Sequence, residues 1–350
     1  MTKVGLCSLM LAAGALFASD NILNVTALDA TRHPVTDLAS ADLRVFDAGK
    51  PQRIASFKAS TAPPTTLILF DLLNLVPRQR VYASSIIIRA LEPLETQGSV
   101  YLYLLTNAGE LYPVHGLPPA PAVRLASEES GKPSDASWTR QIHPLLDRAI
   151  QNVYGLMPEE DKDTGIRTAM TFQTLGQLGE QLTKLPGPKT IVWISSGVWN
   201  RLSYPYGCKD VMFPGTWGGY LAGKCGIPCY SERQDCIYYT PFLQHFSATL
   251  NRAETLIYGV QMLLVGALAA TDPGKGVDTF QQLANLTGGR AYLSGEVEDA
   301  ITRSLADARA RYQLTYEAPP PDGKYHELRV TCTRKGVRIE AQRGYYSSQP

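Results

Sequence analysis

Four short runs are apolar along their whole length, and stretches of helical periodicity separate them. They are Thr66–Asp71 (TLILFD), Ser99–Thr106 (SVYLYLLT), Lys189–Gly197 (KTIVWISSG) and Thr255–Leu263 (TLIYGVQML). A strand with no polar face must be covered on both faces. Parallel strands need crossover connections, and those crossovers are right-handed. The pattern therefore predicts an α/β chain with a doubly wound, mostly parallel sheet.

The intervening segments fit. Pro77 suits the first turn of a helix reaching about Leu91. Residues 165–187 are amphipathic and stop at Pro186-Gly187. Further helices are expected near 241–254, 277–286 and 296–312, and residues 107–114 read as a turn and a short edge strand. The two ends of the chain differ from this middle. Residues 22–57 and 312–346 alternate apolar and polar residues, as half-buried strands do. "DAGK" (Asp47–Lys50) reads as a tight turn. "TDLASADL" holds one helical turn, with Asp37 or Ser40 as candidate caps. Each end has too few strands to stand alone. The expected architecture is thus an α/β domain inserted in a small β-sandwich built from both ends. Its boundaries are 19–62 and 312–350 for the sandwich and 63–311 for the inserted domain, with a linker at Ser60–Thr66 (STAPPTT).

The first 18 residues carry Lys3, then an apolar run too short to span a bilayer, then a polar start. They read as a secretory signal peptide, with Ala13-Gly14-Ala15 or the bond after Ala18 as the cleavage site. The six cysteines agree with export to the periplasm, envelope or medium. Cys208, Cys225, Cys229 and Cys236 crowd into a loop over 198–240, separated by sixteen, three and six residues. That spacing lacks the paired C-x-x-C pattern of a zinc site and is read as two disulfides, with three pairings open. Cys332 sits in an alternating strand pattern and reads as a free thiol. The same loop carries Tyr204, Tyr206, Phe213, Trp217 and Tyr220, side chains suited to anchoring an interface. A net charge of +1 argues against nucleic-acid binding.

In open parallel sheets, ligands bind beyond the carboxyl ends of the strands, where strand order reverses. Asp71 ends the first run and Ser195-Ser196-Gly197 ends the third. No G-x-G-x-x-G follows the first strand, and the G-x-S-x-G of a nucleophile elbow is absent at Ser195. The five histidines show no metal spacing, and His245, on the helix near 241–254, is the one whose position bears on catalysis. A hydrolase using Asp71 with Ser195 or Ser196 is the alternative reading.

These pieces together resemble a von Willebrand factor type A domain over residues 64–310. More narrowly, the chain resembles the von Willebrand factor A-related domain family of Acidobacteria. The narrower resemblance rests on Asp71-x-x-Asn74, LPGPKTIVWISSGV (185–198), TGGRAY (287–292), DLRVFDAGKPQRI (42–54) and KGVRIEAQRGYY (335–346). It implies an adhesion-type, non-enzymatic protein-binding module, and a metal-ion-dependent adhesion site for Mg²⁺ at the sheet top. Asp71 matches the first ligand position, with Thr168 or Thr171 as the loop threonine. Leu73 and Leu75 occupy the two serine positions, Asn74 is offset by one, and Ser196-Gly197 replaces the usual Asp-Gly. One carboxylate is little for a hard, reluctantly dehydrating cation. Mg²⁺ at Asp71 is therefore doubtful, and no other cofactor is implied. The expectation is a degenerate site, in which Asp71 accepts hydrogen bonds from Asn74, Ser195 and Ser196, on a module that binds another protein or an envelope component.

Overall fold

The computed structural model describes residues 20–60, 65–75, 85–92, 100–117, 164–198, 201–203, 227–228, 236–262, 278–293, 297–309 and 311–347. The signal-peptide segment, residues 61–64 of the linker, and Cys208, Cys225 and Cys229 lie outside them. Of the four loop cysteines only Cys236 falls on a described backbone.

The chain opens with β1 (Asp20–Leu28), β2 (Leu43–Asp47), β3 (Lys50–Gln52) and β4 (Ile54–Ala59). β5 (Thr65–Asp71), β6 (Val100–Leu105), β7 (Leu111–His115) and β8 (Lys189–Ser195) follow, with a helical turn α1 at 85–91 and helix α2 (Thr164–Thr183) between them. β9 (Arg201–Ser203), β10 (Ile227–Pro228) and β11 (Cys236–Tyr238) make a small antiparallel sheet of their own. Then come α3 (Thr240–Arg252), β12 (Thr255–Gln261), α4 (Asp278–Thr287), β13 (Ala291–Tyr292) and α5 (Val297–Arg309). The chain closes with β14 (Arg311–Glu317), β15 (Tyr325–Cys332), β16 (Arg338–Ala341) and β17 (Gly344–Tyr346).

The central sheet runs β13-β12-β8-β5-β6-β7, parallel except for the edge strand β7. The alternation of side chains in β5 and β8 explains why both strands are apolar throughout. Ile68, Phe70, Val192 and Ile194 face one way, onto α1 and α5 through Ile87, Leu91, Ile301 and Leu305. Leu67, Leu69, Ile191 and Trp193 face the other way, onto α2, α3 and α4 through Phe172, Leu175, Phe246 and Phe280. In α2, Phe172, Leu175, Leu178 and Leu182 recur at helical spacing and bury that stripe. Gly187, just past its end, has φ +74, which glycine adopts without strain.

Strands from the two chain ends form two four-stranded antiparallel sheets, β16-β1-β14-β4 and β17-β15-β2-β3. β1 pairs with β14 from Asp20↔Glu317 to Thr26↔Arg311, and β2 pairs with β15 from Asp47↔Leu328 to Leu43↔Cys332. Leu23, Val25, Leu43, Val45, Leu314, Tyr316 and Leu328 share one core between the sheets. Ala48 and Gly49 turn the chain from β2 to β3 with φ of +46 and +79. The helical turn is a short 3-10 segment, Ser40–Asp42. Neither Asp37 nor Ser40 caps it. Asp42 accepts the Ala39 N–H at 2.8 Å, and Asp37 is drawn instead to Arg334 at 2.9 Å. Cys332 is a free, half-buried thiol at the edge of this core.

The sandwich core holds a buried polar cluster around Asp47. Asp47 accepts hydrogen bonds from Tyr316 at 3.1 Å and Tyr345 at 2.9 Å, and it lies 2.7 Å from His326 Nδ1. His326 Nε2 lies 3.0 Å from Asp322. Burial alone would push the imidazole down, but the hydrogen bonds to Asp47 and Asp322 outweigh it and hold His326 above its ordinary value. A base with a raised folded pKa stabilises fully below its unfolded pKa of about 6.5, and the stabilisation is lost as pH rises through the folded value. The urea midpoint should therefore fall as pH rises above about 6.5. The step should vanish in His326→Gln. An unchanged step in that variant would assign it elsewhere.

Candidate functional site

β5 lies between β6 and β8, so sequence-successive strands leave it in opposite directions. The carboxyl ends of β5 and β8 therefore flank the crevice where strand order reverses. Asp71 and Ser195 are the last residues of those two strands, and both are fully buried. A buried carboxylate needs partners, and Asp71 has them. Asn74 donates its backbone N–H to Oδ1 at 3.0 Å and its side-chain amide to Oδ2 at 2.8 Å. The Trp193 indole N–H donates to Oδ2 at 3.2 Å, and the Ser195 hydroxyl is a further donor. Burial raises the Asp71 pKa, and the bonds from Asn74, Ser195 and Trp193 offset this only in part.

The Asn74 amide uses its second hydrogen on Thr171 Oγ1 at 2.8 Å, and Thr171 donates to the Arg167 carbonyl at 2.8 Å. The tip of β5 is thus tied to the first turns of α2. Thr171 is the threonine brought to the cluster. Thr168 is buried one turn earlier on α2. Ser195 Oγ accepts the Gly197 N–H at 3.2 Å, in a turn where Gly197 has φ +114. Ser196 is half-buried in that turn. Val198, just beyond it, accepts the Thr279 hydroxyl at 2.6 Å, anchoring the turn to α4.

Trp193 belongs to this site and was not singled out by sequence reasoning. It is paired with Gly259 on β12, where a Cβ would come within 2.5 Å of the Phe280 ring. The missing side chain makes room for Phe280, which packs edge-on against Trp193 with ring centroids 4.8 Å apart. That wedge fixes the indole with its N–H toward Asp71. A tryptophan inside a buried strand needs an acceptor, and a strand glycine marks a close approach. Both signals were present in TIVWIS and LIYGV.

The residues present do not fit a divalent cation. A metal ligand presents free oxygen lone pairs, whereas both Asp71 oxygens already receive N–H donors. Leu73 and Leu75, where the resemblance would place two serine ligands, are buried hydrocarbon. A raised carboxyl pKa also opposes the deprotonation that metal binding requires. Among the described residues, no group of three or more His, Cys, Asp or Glu side chains is placed to hold a metal. Ser195 is fully buried, its oxygen is engaged with Gly197 and Asp71, and His245 is exposed on α3.

No family model and no curated protein matches the chain. Among solved structures, it is similar to the pilus adhesin SpaC from Lactobacillus rhamnosus GG in its open conformation, at 11% identity and a TM-score of 0.35, covering 89% of this chain and 49% of that one. It is also similar to the PilB minor pilin from Streptococcus sanguinis, at 11% identity and a TM-score of 0.33, covering 72% of this chain and 62% of that one. This chain spans about half the length of the adhesin, and at these scores the chain paths overlap only loosely.

Proposed function

We propose that this chain is an exported, non-enzymatic protein-binding module. Its α/β domain is of the von Willebrand factor A type, and its metal-dependent adhesion site has been replaced by a hydrogen-bonded carboxylate. The observation that carries the reading is Asp71, at the strand-order reversal, with both oxygens occupied by N–H donors. A sheet top closed in this way suits contact with a partner, its carboxylate already committed to N–H donors. The reading places the partner-binding surface at this end of the sheet, together with the aromatic-rich loop over 198–240. Among the described residues, no helix is long and apolar enough to cross a membrane.

Metal independence separates this reading from ordinary adhesion of the same type. Affinity capture from envelope extract should recover the same partner in Mg²⁺ and in EDTA. Recovery only in Mg²⁺ would contradict the reading, as would release of cleaved substrate from the captured partner.

A further inference from the structure

At the seam between α4 and the sandwich lies a groove of about 300 Å³. Its charged lining is Arg290, Arg329, Arg338 and Arg343 against Glu327 and Glu340. That leaves it two charges positive, in a chain whose whole net charge is +1. Glu340 is shared: it pairs with Arg290 and lies 3.7 Å from Arg338. Arg329 is exposed, with its guanidinium over the Phe46 ring at 4.6 Å, and Arg343, in the link from β16 to β17, is exposed and also lines the groove. Among the described residues, neither Arg329 nor Arg343 has a carboxylate partner.

The backbone of the groove is also incomplete. Among the described residues, β15 pairs only with β2 from Leu328 to Cys332, and β16 pairs only with β1. The two strands lie on either side of the groove without joining one sheet. They are tied at one end, where the Leu328 N–H donates to the Arg343 carbonyl at 2.8 Å. Open strand edges present main-chain donors and acceptors at the spacing of an extended peptide. Guanidinium groups lining the same groove match carboxylates in a planar, two-pronged way.

We propose that this groove binds an extended, acidic segment of a partner protein, which adds as a strand along the open edge of β15 and places its carboxylates on Arg329 and Arg343. The groove shares no residue with the Asp71 cluster, so the proposal stands whether or not that cluster holds a metal.

Fluorescence anisotropy on the full chain tests it. The probe is a labelled Thr-Glu-Val-Glu-Thr-Glu-Val peptide. The controls are the same peptide with Lys for Glu, the same peptide N-methylated at alternate amides, and inorganic pyrophosphate as competitor. The acidic peptide should bind saturably and lose about tenfold or more in affinity in the Arg329→Glu/Arg343→Glu double variant, equivalent to about 1.4 kcal/mol. Both residues are exposed, so the variant should keep the wild-type circular dichroism spectrum. N-methylation should abolish binding, because it removes the strand pairing, and the Lys peptide should not bind. Absence of saturable binding up to about 1 mM peptide would overturn the proposal. Equal binding by the double variant or by the N-methylated peptide would overturn it too. Displacement by sub-millimolar pyrophosphate would assign the groove to small anions instead.

Discussion

Replacing Arg311 with methionine should cost the chain about 4 kcal/mol of unfolding free energy, the larger of the two mutational effects expected here. Arg311 opens β14 at the point where the α/β domain rejoins the sandwich, and it is 3% exposed. Its guanidinium reaches three acceptors from three parts of the fold. Nε donates to Asn24 Oδ1 on β1 at 3.2 Å, and the two terminal nitrogens donate to the carbonyls of Lys189 at 3.1 Å and Glu254 at 2.5 Å. Desolvation lowers its pKa to about 10, against the pull of Tyr258 and Glu254, so it remains charged at neutral pH. Hydrogen bonds to a charged group contribute about 1.5–3 kcal/mol each, and methionine fills the space without replacing any of them. Relief of the guanidinium's own desolvation offsets part of the loss. The Arg311→Lys variant keeps the charge but cannot span three acceptors, and should lose about half as much. Urea unfolding by fluorescence and by far-UV circular dichroism should show one shifted transition for both domains. A loss under about 1 kcal/mol would mean that the junction is held mainly by packing.

The Asp71→Ala variant is expected to lose about 3 kcal/mol. The substitution strands the Trp193 indole N–H, the Asn74 amide and the Asn74 backbone N–H, all of which point at the carboxylate. Each unsatisfied buried donor costs about 1–3 kcal/mol, and relaxation of Asn74 toward Thr171 recovers part of this. The Asp71→Asn variant keeps one acceptor oxygen and the shape, and should lose about 1 kcal/mol. It should bind the partner as the wild type does. A stabilised Asp71→Asn variant would show that ionisation of the carboxyl at neutral pH is a strain on the fold.

Much of this architecture was legible before any coordinates, and for identifiable reasons. The apolar runs hold strands at 66–71, 100–105, 189–195 and 255–261, covered on both faces, and period alone separates such strands from the half-buried ones at the chain ends. That the ends pair with each other followed from neither end having enough strands. The register did not follow, because alternation says which face is buried and not which neighbour is opposite. At the site, Asp71 and Ser195 were visible because a polar residue ending an apolar run is costly unless partnered. The bond from Trp193 was not visible, because it depends on β8 lying beside β5 and on Phe280 wedging into the space left by Gly259. The groove lined by Arg329 and Arg343 was equally hidden. Arg329 sits on β15 and Arg343 in the link between β16 and β17, and only the fold brings them to the lining of one groove.

Titration calorimetry of the EDTA-stripped protein with Mg²⁺ and with Mn²⁺ tests the central claim, that N–H donors and not a metal ion satisfy Asp71. With both oxygens engaged and the neighbouring positions filled by Leu73 and Leu75, no saturable heat should appear below about 1 mM of either ion, in the wild type or in Asp71→Asn. Saturable binding below that concentration in the wild type, lost in Asp71→Asn, would contradict it.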